Sequence, residues 1–194
     1  LVDENIKDQC QIVYEPDCAS LAIKHDENVR FTKGDKYVLI DAGGGTVDIT
    51  FHEVLGDFGV KEIHHPSGGP WGSVYIDDKY MELLQDIFGK EWMAEFKLQS
   101  PNTYVEILHN FQLSKSTFYE SHLDKKAQSH NVRMPEEFLQ FLEEKCVQNS
   151  GGSGEEDKFA EDIVDEYIYL GKSGMVKLND EYLEINEVIW REFM

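Results

Sequence analysis

The segment Asp41-Ala42-Gly43-Gly44-Gly45-Thr46-Val47-Asp48 holds the groups that phosphate and metal chemistry require. Three successive glycines let backbone N–H groups point to one side without Cβ obstruction, a concavity that suits phosphate oxygens. The hydroxyl of Thr46 can donate to a phosphate or orient a water. Asp41 and Asp48 can hold a hydrated Mg²⁺, which keeps several waters and touches few protein ligands. The same residues also read as a glycine-rich turn flanked by solvent-facing acids. Spacing alone leaves both readings open.

Two better-known phosphate motifs are excluded. A P-loop needs Gly-Lys-Ser/Thr at a helix start with a glycine upstream. Gly171-Lys172-Ser173 has Glu166 where that glycine should stand, and the segment reads as a hairpin. A dinucleotide fingerprint needs a helix after the glycines, whereas here a strand follows: Val47, Ile49 and Phe51 alternate with Asp48, Thr50 and His52.

The elements that must position this segment are short. Tyr37 to Ile40 is an apolar run, so strand, glycine turn and strand predict a β-hairpin. Phe58 to His64 reads as a third strand. Before the hairpin, Gln11 to Tyr14 is stopped by Glu15-Pro16, and Asp17 to His25 carries Ala19, Ala22 and Ile23 at helical spacing. After it, Ser73 is a candidate N-cap for a helix through Ile76, Tyr80, Leu83, Leu84 and Ile87, with Gly89 as its stop. Glu91 to Lys97 predicts a short helix, and Pro101 opens a longer one to about Tyr119. Val132 falls in a candidate strand and Pro135 to Lys145 in a helix. Tyr167 to Leu170 and Met175 to Leu178 flank Gly171-Lys172-Ser173-Gly174 as a second hairpin, after which Asn179 caps a final helix. The whole reads as mixed α/β without internal repeats. Residues 149–156, opening Asn149-Ser150-Gly151-Gly152-Ser153-Gly154, form a linker or loop, natural or introduced.

Composition narrows the function classes. The 194 residues carry 18 Lys+Arg against 38 Asp+Glu, a formal charge of −20. A polyanion is drawn to neither nucleic acid nor an anionic membrane surface. With 41% hydrophobic residues the chain can bury a core. No stretch approaches the roughly 20 apolar residues that cross a bilayer. Three cysteines, Cys10, Cys18 and Cys146, fit neither a disulfide framework nor a metal spacing, so a reducing, cytoplasmic setting is expected. The opening Leu1-Val2-Asp3 looks like a piece cut from a longer protein.

Other residues carry weaker signals. His64 and His65 are neighbours on a strand, point to opposite faces and cannot chelate one ion together. Cys18 is followed by small residues on a helix and is expected in the core, and no His or base neighbour marks it as a nucleophile. Trp71 either packs over its own loop or stacks on a ligand base. Phe138, Phe141 and Leu142 read as helix core. Glu155 to Glu166 reads as a solvated surface or as a face for a basic partner.

Tyr37 to Asp48 resembles the second phosphate-binding motif of the actin-like ATPase superfamily. Glu15-Pro16-Asp17-Cys18-Ala19-Ser20 is similar to the Glu-Pro-x-Ala-Ala segment of the 70-kDa heat-shock proteins, with Cys18 in place of the first alanine. Gly68-Gly69-Pro70-Trp71-Gly72-Ser73, followed by a helix to Ile87-Phe88-Gly89, resembles the divergent twelfth subfamily, as does the run from Phe96-Lys97 to Lys115. The likeness is strongest over residues 11–119.

The resemblance implies a ribonuclease-H-like lobe with an inserted α+β subdomain, the second lobe of an actin-like nucleotide-binding domain. About 1–75 would be its core sheet and 76–194 the mainly helical insert. It implies ATP or ADP with Mg²⁺ as ligands. Gly43, Gly44, Gly45 and Thr46 would contact the β- and γ-phosphates, and Gly69 would approach the nucleotide from the next loop. Asp41 and Glu15 would be catalytic, Asp41 near Mg²⁺ and the attacking water, Glu15 linking the metal site to lobe movement. Asp48 would share the cation through water. Gln112, Lys115, Ser116 and Tyr119 align with the adenosine-binding face, where only Lys115 keeps the family residue. The first phosphate motif and the first lobe's lysine have no counterpart, so the partners implied are a missing first lobe and protein clients. The chain alone is expected to hydrolyse ATP poorly, because opposing donors are absent. The alternative is a nucleotide-sensing or scaffold protein that keeps the fold without hydrolysis. A sugar or acetate kinase would share the glycine hairpin but not the Glu15-Pro16 context.

Overall fold

Alternation builds the first sheet. In β1 (Lys36–Ala42) Tyr37, Leu39 and Asp41 turn to one face, and in β2 (Val47–Val54) Thr50, His52 and Val54 are buried on that face. The two strands pair antiparallel with Lys36 opposite Glu53 and Ala42 opposite Val47, which is the predicted hairpin. The third strand, β3 (Val60–Gly69), pairs with β2 and runs on to the glycine pair, placing Gly68 opposite Asp48 and Gly69 opposite Val47. The sheet order is β1-β2-β3, so Pro66, which cannot donate to a ladder, lies on an edge strand. Helix α1 (Glu15–His25) starts with Pro16 in its first turn and acids at Glu15 and Asp17, residues suited to a helix N-terminus. It lies against the buried face of the sheet, where Ser20 meets His52.

The computed structural model describes residues 13–26, 28–56, 59–123, 129–150 and 159–193, with backbone alone at 24–25, 118–123 and 149–150. Phe58 and residues 151–154 of the glycine-serine stretch lie outside these. The chain divides into two compact units, Leu1–Ser73 and Val74–Met194, and each mixes helices with a small antiparallel sheet.

The second unit opens with the predicted helices. These are α2 (Val74–Phe88), α3 (Lys90–Gln99) and α4 (Pro101–Leu123). Gly89 has φ 91°, a left-handed value that favours glycine, and its N–H bonds the Gln85 carbonyl. One residue thus ends α2 and begins α3. Strand β4 (Ser129–Arg133) and helix α5 (Glu136–Ser150) follow, then α6 (Ala160–Glu166), β5 (Val176–Asn179), β6 (Tyr182–Asn186) and α7 (Glu187–Phe193). The sheet order is β4-β6-β5. The core is aromatic: the Tyr80 and Phe111 rings stack at 4.1 Å and Phe111 stacks on Trp190 at 5.2 Å. Phe138, Phe141 and Leu142 are buried in it as expected.

One expectation fails. The hairpin lies not at Gly171-Lys172-Ser173-Gly174 but between β5 and β6, and Asn179 ends a strand instead of capping a helix. Burial decides the matter. Val176, Leu178, Leu183 and Ile185 are buried at period two, whereas Ile168 and Leu170 are 63% and 72% exposed and offer no face to bury. Asp180 makes the tight turn at φ 52°, a value that Asp tolerates. Leu170 and Gly171 form only a small turn closed by a Tyr169–Lys172 bridge.

Candidate functional site

The glycine hairpin closes through its own backbone. The Gly43 N–H donates to the Thr46 carbonyl at 2.9 Å, so this N–H is spent inside the turn. The Gly43 carbonyl accepts from Ser73 N–H at 3.2 Å and the Gly45 carbonyl from Gly72 N–H at 3.4 Å, which fastens the tip to the loop after β3. No backbone bond engages the Gly44 or Gly45 N–H among the described residues. The Thr46 hydroxyl donates to Asp48 Oδ2 at 3.0 Å.

Glycine is demanded here for two different reasons. A Cβ at Gly72 would stand 2.2 Å from the Gly44 oxygen, and one at Gly68 would stand 2.4 Å from the Val47 oxygen. Those two glycines exist so that backbones can nest. At Gly45 a Cβ would meet nothing within 4 Å, and at Gly43 only an ordinary 3.4 Å contact. Neither residue has positive φ. Packing among the described residues therefore does not require glycine at 43 or 45.

Glu15, Asp41 and Asp48 come together around one cleft of 410 Å³ in the first unit, together with Asp17, Glu62, Thr50 and His52. Five carboxylates around one opening give it a strongly negative lining. No group of three or more His, Cys, Asp or Glu side chains converges as a metal centre among the described residues. Beneath the cleft, Ser20 Oγ lies 2.9 Å and Tyr37 Oη 3.2 Å from His52 Nδ1. The Thr50 hydroxyl is buried without a hydrogen-bond partner among the described residues.

Gly69 lies under an indole. Its Cβ would be 2.8 Å from the Trp71 ring, and Trp71 N–H bonds the Gly69 carbonyl at 2.9 Å. Trp71 thus packs over its own loop while staying 65% exposed.

In the second unit, Gln112 and Lys115 converge on a third residue. Lys115 Nζ is 2.5 Å from Asp77 Oδ1, and Gln112 Nε2 donates to Asp77 Oδ2 at 2.9 Å. The lysine ammonium also lies 5.9 Å from the centre of the Phe111 ring. Ser116 Oγ turns back to the Leu113 carbonyl. The Tyr119 side chain lies outside the described residues.

Comparison with known proteins finds relatives of part of the chain. The chain is 34% identical over 110 residues to heat shock 70 kDa protein 12A of Homo sapiens, covering 56% of this chain and 16% of that protein. The Mus musculus 12A protein matches at 34% over 110 residues, with the same shares. Heat shock 70 kDa protein 12B of Homo sapiens is 38% identical over 109 residues, covering 56% of this chain and 15% of its own length. The resemblance to subfamily twelve of the 70-kDa heat-shock proteins holds. No family model matches the chain. The match spans about a sixth of the length of these subfamily-twelve relatives.

Beside the subfamily-twelve resemblance, the sequence reading missed Asp77 and misjudged Cys18, which is exposed and not in the core. Small neighbours suggested burial for Cys18, but on α1 it faces away from Ser20, the residue that enters the interior. Asp77 did carry a signal. It stands three residues before Tyr80 and seven before Leu84, on the buried stripe of α2. His64 and His65 are both exposed, and His64 Nδ1 lies 3.0 Å from the His65 carbonyl. No helix among the described residues is long and apolar enough to cross a membrane.

Proposed function

We propose that this chain is an ATP- or ADP-binding lobe of the actin-like ATPase kind, ribonuclease-H-like in its core, in a divergent 70-kDa heat-shock-like protein. The observation that carries the reading is the glycine at 43 and 45. Both have ordinary φ and room for a Cβ, so nothing among the described residues demands their bareness. A phosphate against the open N–H groups of Gly44 and Gly45 is the ligand that such a tip suits.

A polyphosphate cannot approach five carboxylates alone. It would arrive with Mg²⁺, held through water by Asp41 and Asp48, with Glu15 on the same cleft. Gln112, Lys115 and Tyr119 of the second unit are the residues that the family resemblance assigns to adenosine. The opposing lobe and any protein client belong to the same proposal. A second reading, nucleotide sensing without hydrolysis, is favoured by Lys115, whose charge is already matched by Asp77.

Calorimetric titration of the chain with Mg-ATP and Mg-ADP, repeated on Gly45→Val, tests the reading. The new side chain enters open space, so the variant keeps its fold while its phosphate contact is blocked. Heat from the parent that disappears in the variant supports the proposal. Equal binding by both would remove the hairpin from it, and silence from a parent titrated together with its opposing lobe would end it.

A further inference from the structure

Thr50 is 3% exposed and lines the cleft of the first unit, and its hydroxyl has no partner among the described residues. A buried polar group left unpaired destabilises a fold unless something from outside supplies the bond. His52, the other buried polar residue on that wall, already has Ser20 and Tyr37 at its Nδ1. Around Thr50 stand Glu15 and Asp17 from α1, Asp41 from β1, Asp48 from β2 and Glu62 from β3.

These carboxylates are spread along the cleft. Asp41 and Asp48 face each other near the hairpin tip, while Glu62 stands opposite His52. Asp48 and His52 are four residues apart on β2, about 13 Å along the strand. One small ion cannot span that distance, since Mg²⁺ holds its ligands at about 2.1 Å. Accordingly, no three acidic or histidine side chains converge on a point among the described residues. The walls between the charges are apolar: Pro16, Pro66 and the ring of Tyr14, which is 82% exposed. A ligand whose cationic groups are separated by methylenes matches both the charges and the walls. An ammonium donates and accepts nothing, so it serves the carboxylates and the Thr50 oxygen alike, and it is drawn to an aromatic face.

We propose that this cleft binds a linear polyamine, one ammonium taken by the Thr50 hydroxyl and the others by the carboxylates at the two ends. The methylenes between them lie along Pro16, Pro66 and Tyr14. Such binding needs neither the open glycine tip nor the second unit, so it stands or falls apart from the nucleotide reading.

The test is equilibrium dialysis of the full chain against labelled spermidine, competed by butylamine and by magnesium chloride. Salt at about 0.15 M screens attraction between exposed charges more than about 8 Å apart. One equivalent of spermidine should bind, at least about tenfold tighter than butylamine or Mg²⁺. Thr50→Val removes the hydroxyl without changing the charge and should weaken spermidine about tenfold, the worth of one hydrogen bond to a charged group. Diffuse attraction to a chain of charge −20 would leave that variant equal to the parent. Glu62→Gln, an exposed change, should weaken spermidine about threefold. Glu91→Gln, which removes the same charge from the second unit, should leave binding unchanged. Should Thr50→Val fail to fold, the comparison of Glu62→Gln with Glu91→Gln decides. A parent that does not bind spermidine, or binds it no tighter than Mg²⁺, overturns the proposal. So does an undiminished affinity in Thr50→Val, or equal losses from the two glutamate changes.

Discussion

Asp41 and Asp48 are register partners, directly opposite each other across β1 and β2 on the face that carries Thr50 and His52. Like charges so placed repel, by about 0.2–1 kcal/mol in antiparallel pairs. A cation between them reverses the sign of that interaction.

Asp48→Asn should therefore raise the unfolding free energy by about 0.5 kcal/mol in low-salt buffer free of divalent ions. Magnesium chloride should raise the thermal midpoint of the parent and leave that of the variant unmoved. A parent indifferent to Mg²⁺ would show that no cation enters between these carboxylates.

Gly72→Ala should cost about 1–3 kcal/mol, because its methyl would stand 2.2 Å from the Gly44 oxygen and must push the hairpin tip aside. Gly45→Ala should be nearly neutral in the same urea titration. The contrast is the content of the prediction: equal costs would mean that the tip does not rest on the loop at Gly72.

Thr50→Val should stabilise the chain by about 1 kcal/mol. It replaces a buried hydroxyl that has no partner among the described residues with a methyl of the same shape. The urea midpoint should rise with an unchanged slope. A loss of stability would mean that the hydroxyl is satisfied by water from the cleft.

Burial pushes the Tyr80 phenol far above its ordinary value of 10, and Tyr169 is raised to about 12 by burial and by its bond to Glu192. Above pH 10 the unfolded chain releases these protons while the folded chain retains them. Stability is then fully present below about pH 10 and falls as pH rises beyond it. Tyr80→Phe should lose about 1.4 kcal/mol less than the parent between about pH 9 and 11. Denaturation at both pH values measures this, and parallel losses in the two proteins would contradict it.

Local order was largely legible from residues alone. Alternation and a glycine run announced the β1–β2 hairpin, and Gly89 marked the joint between α2 and α3, because a left-handed residue leaves a compositional trace. The 167–186 region misled for the converse reason. Gly171-Lys172-Ser173-Gly174 carries stronger turn chemistry than Asn179-Asp180-Glu181, yet the hairpin goes where Leu178, Leu183 and Ile185 can be buried. Tertiary burial outranked local preference. At the site, Glu15, Asp41 and Asp48 were legible as types, and their meeting around one cleft needed the fold. Asp77 was overlooked because an acid on an amphipathic helix is ordinarily solvated; only its phase with Tyr80 and Leu84 set it apart.

The nesting of Gly72 against Gly44 also bears on heredity. Two loops far apart along the chain share one van der Waals gap, and that gap has room for no further atom. A lineage that acquires any side chain at 72 must reshape the hairpin in the same step or lose its setting. The two loops are thus expected to drift together, and a relative that has abandoned one should have abandoned the other.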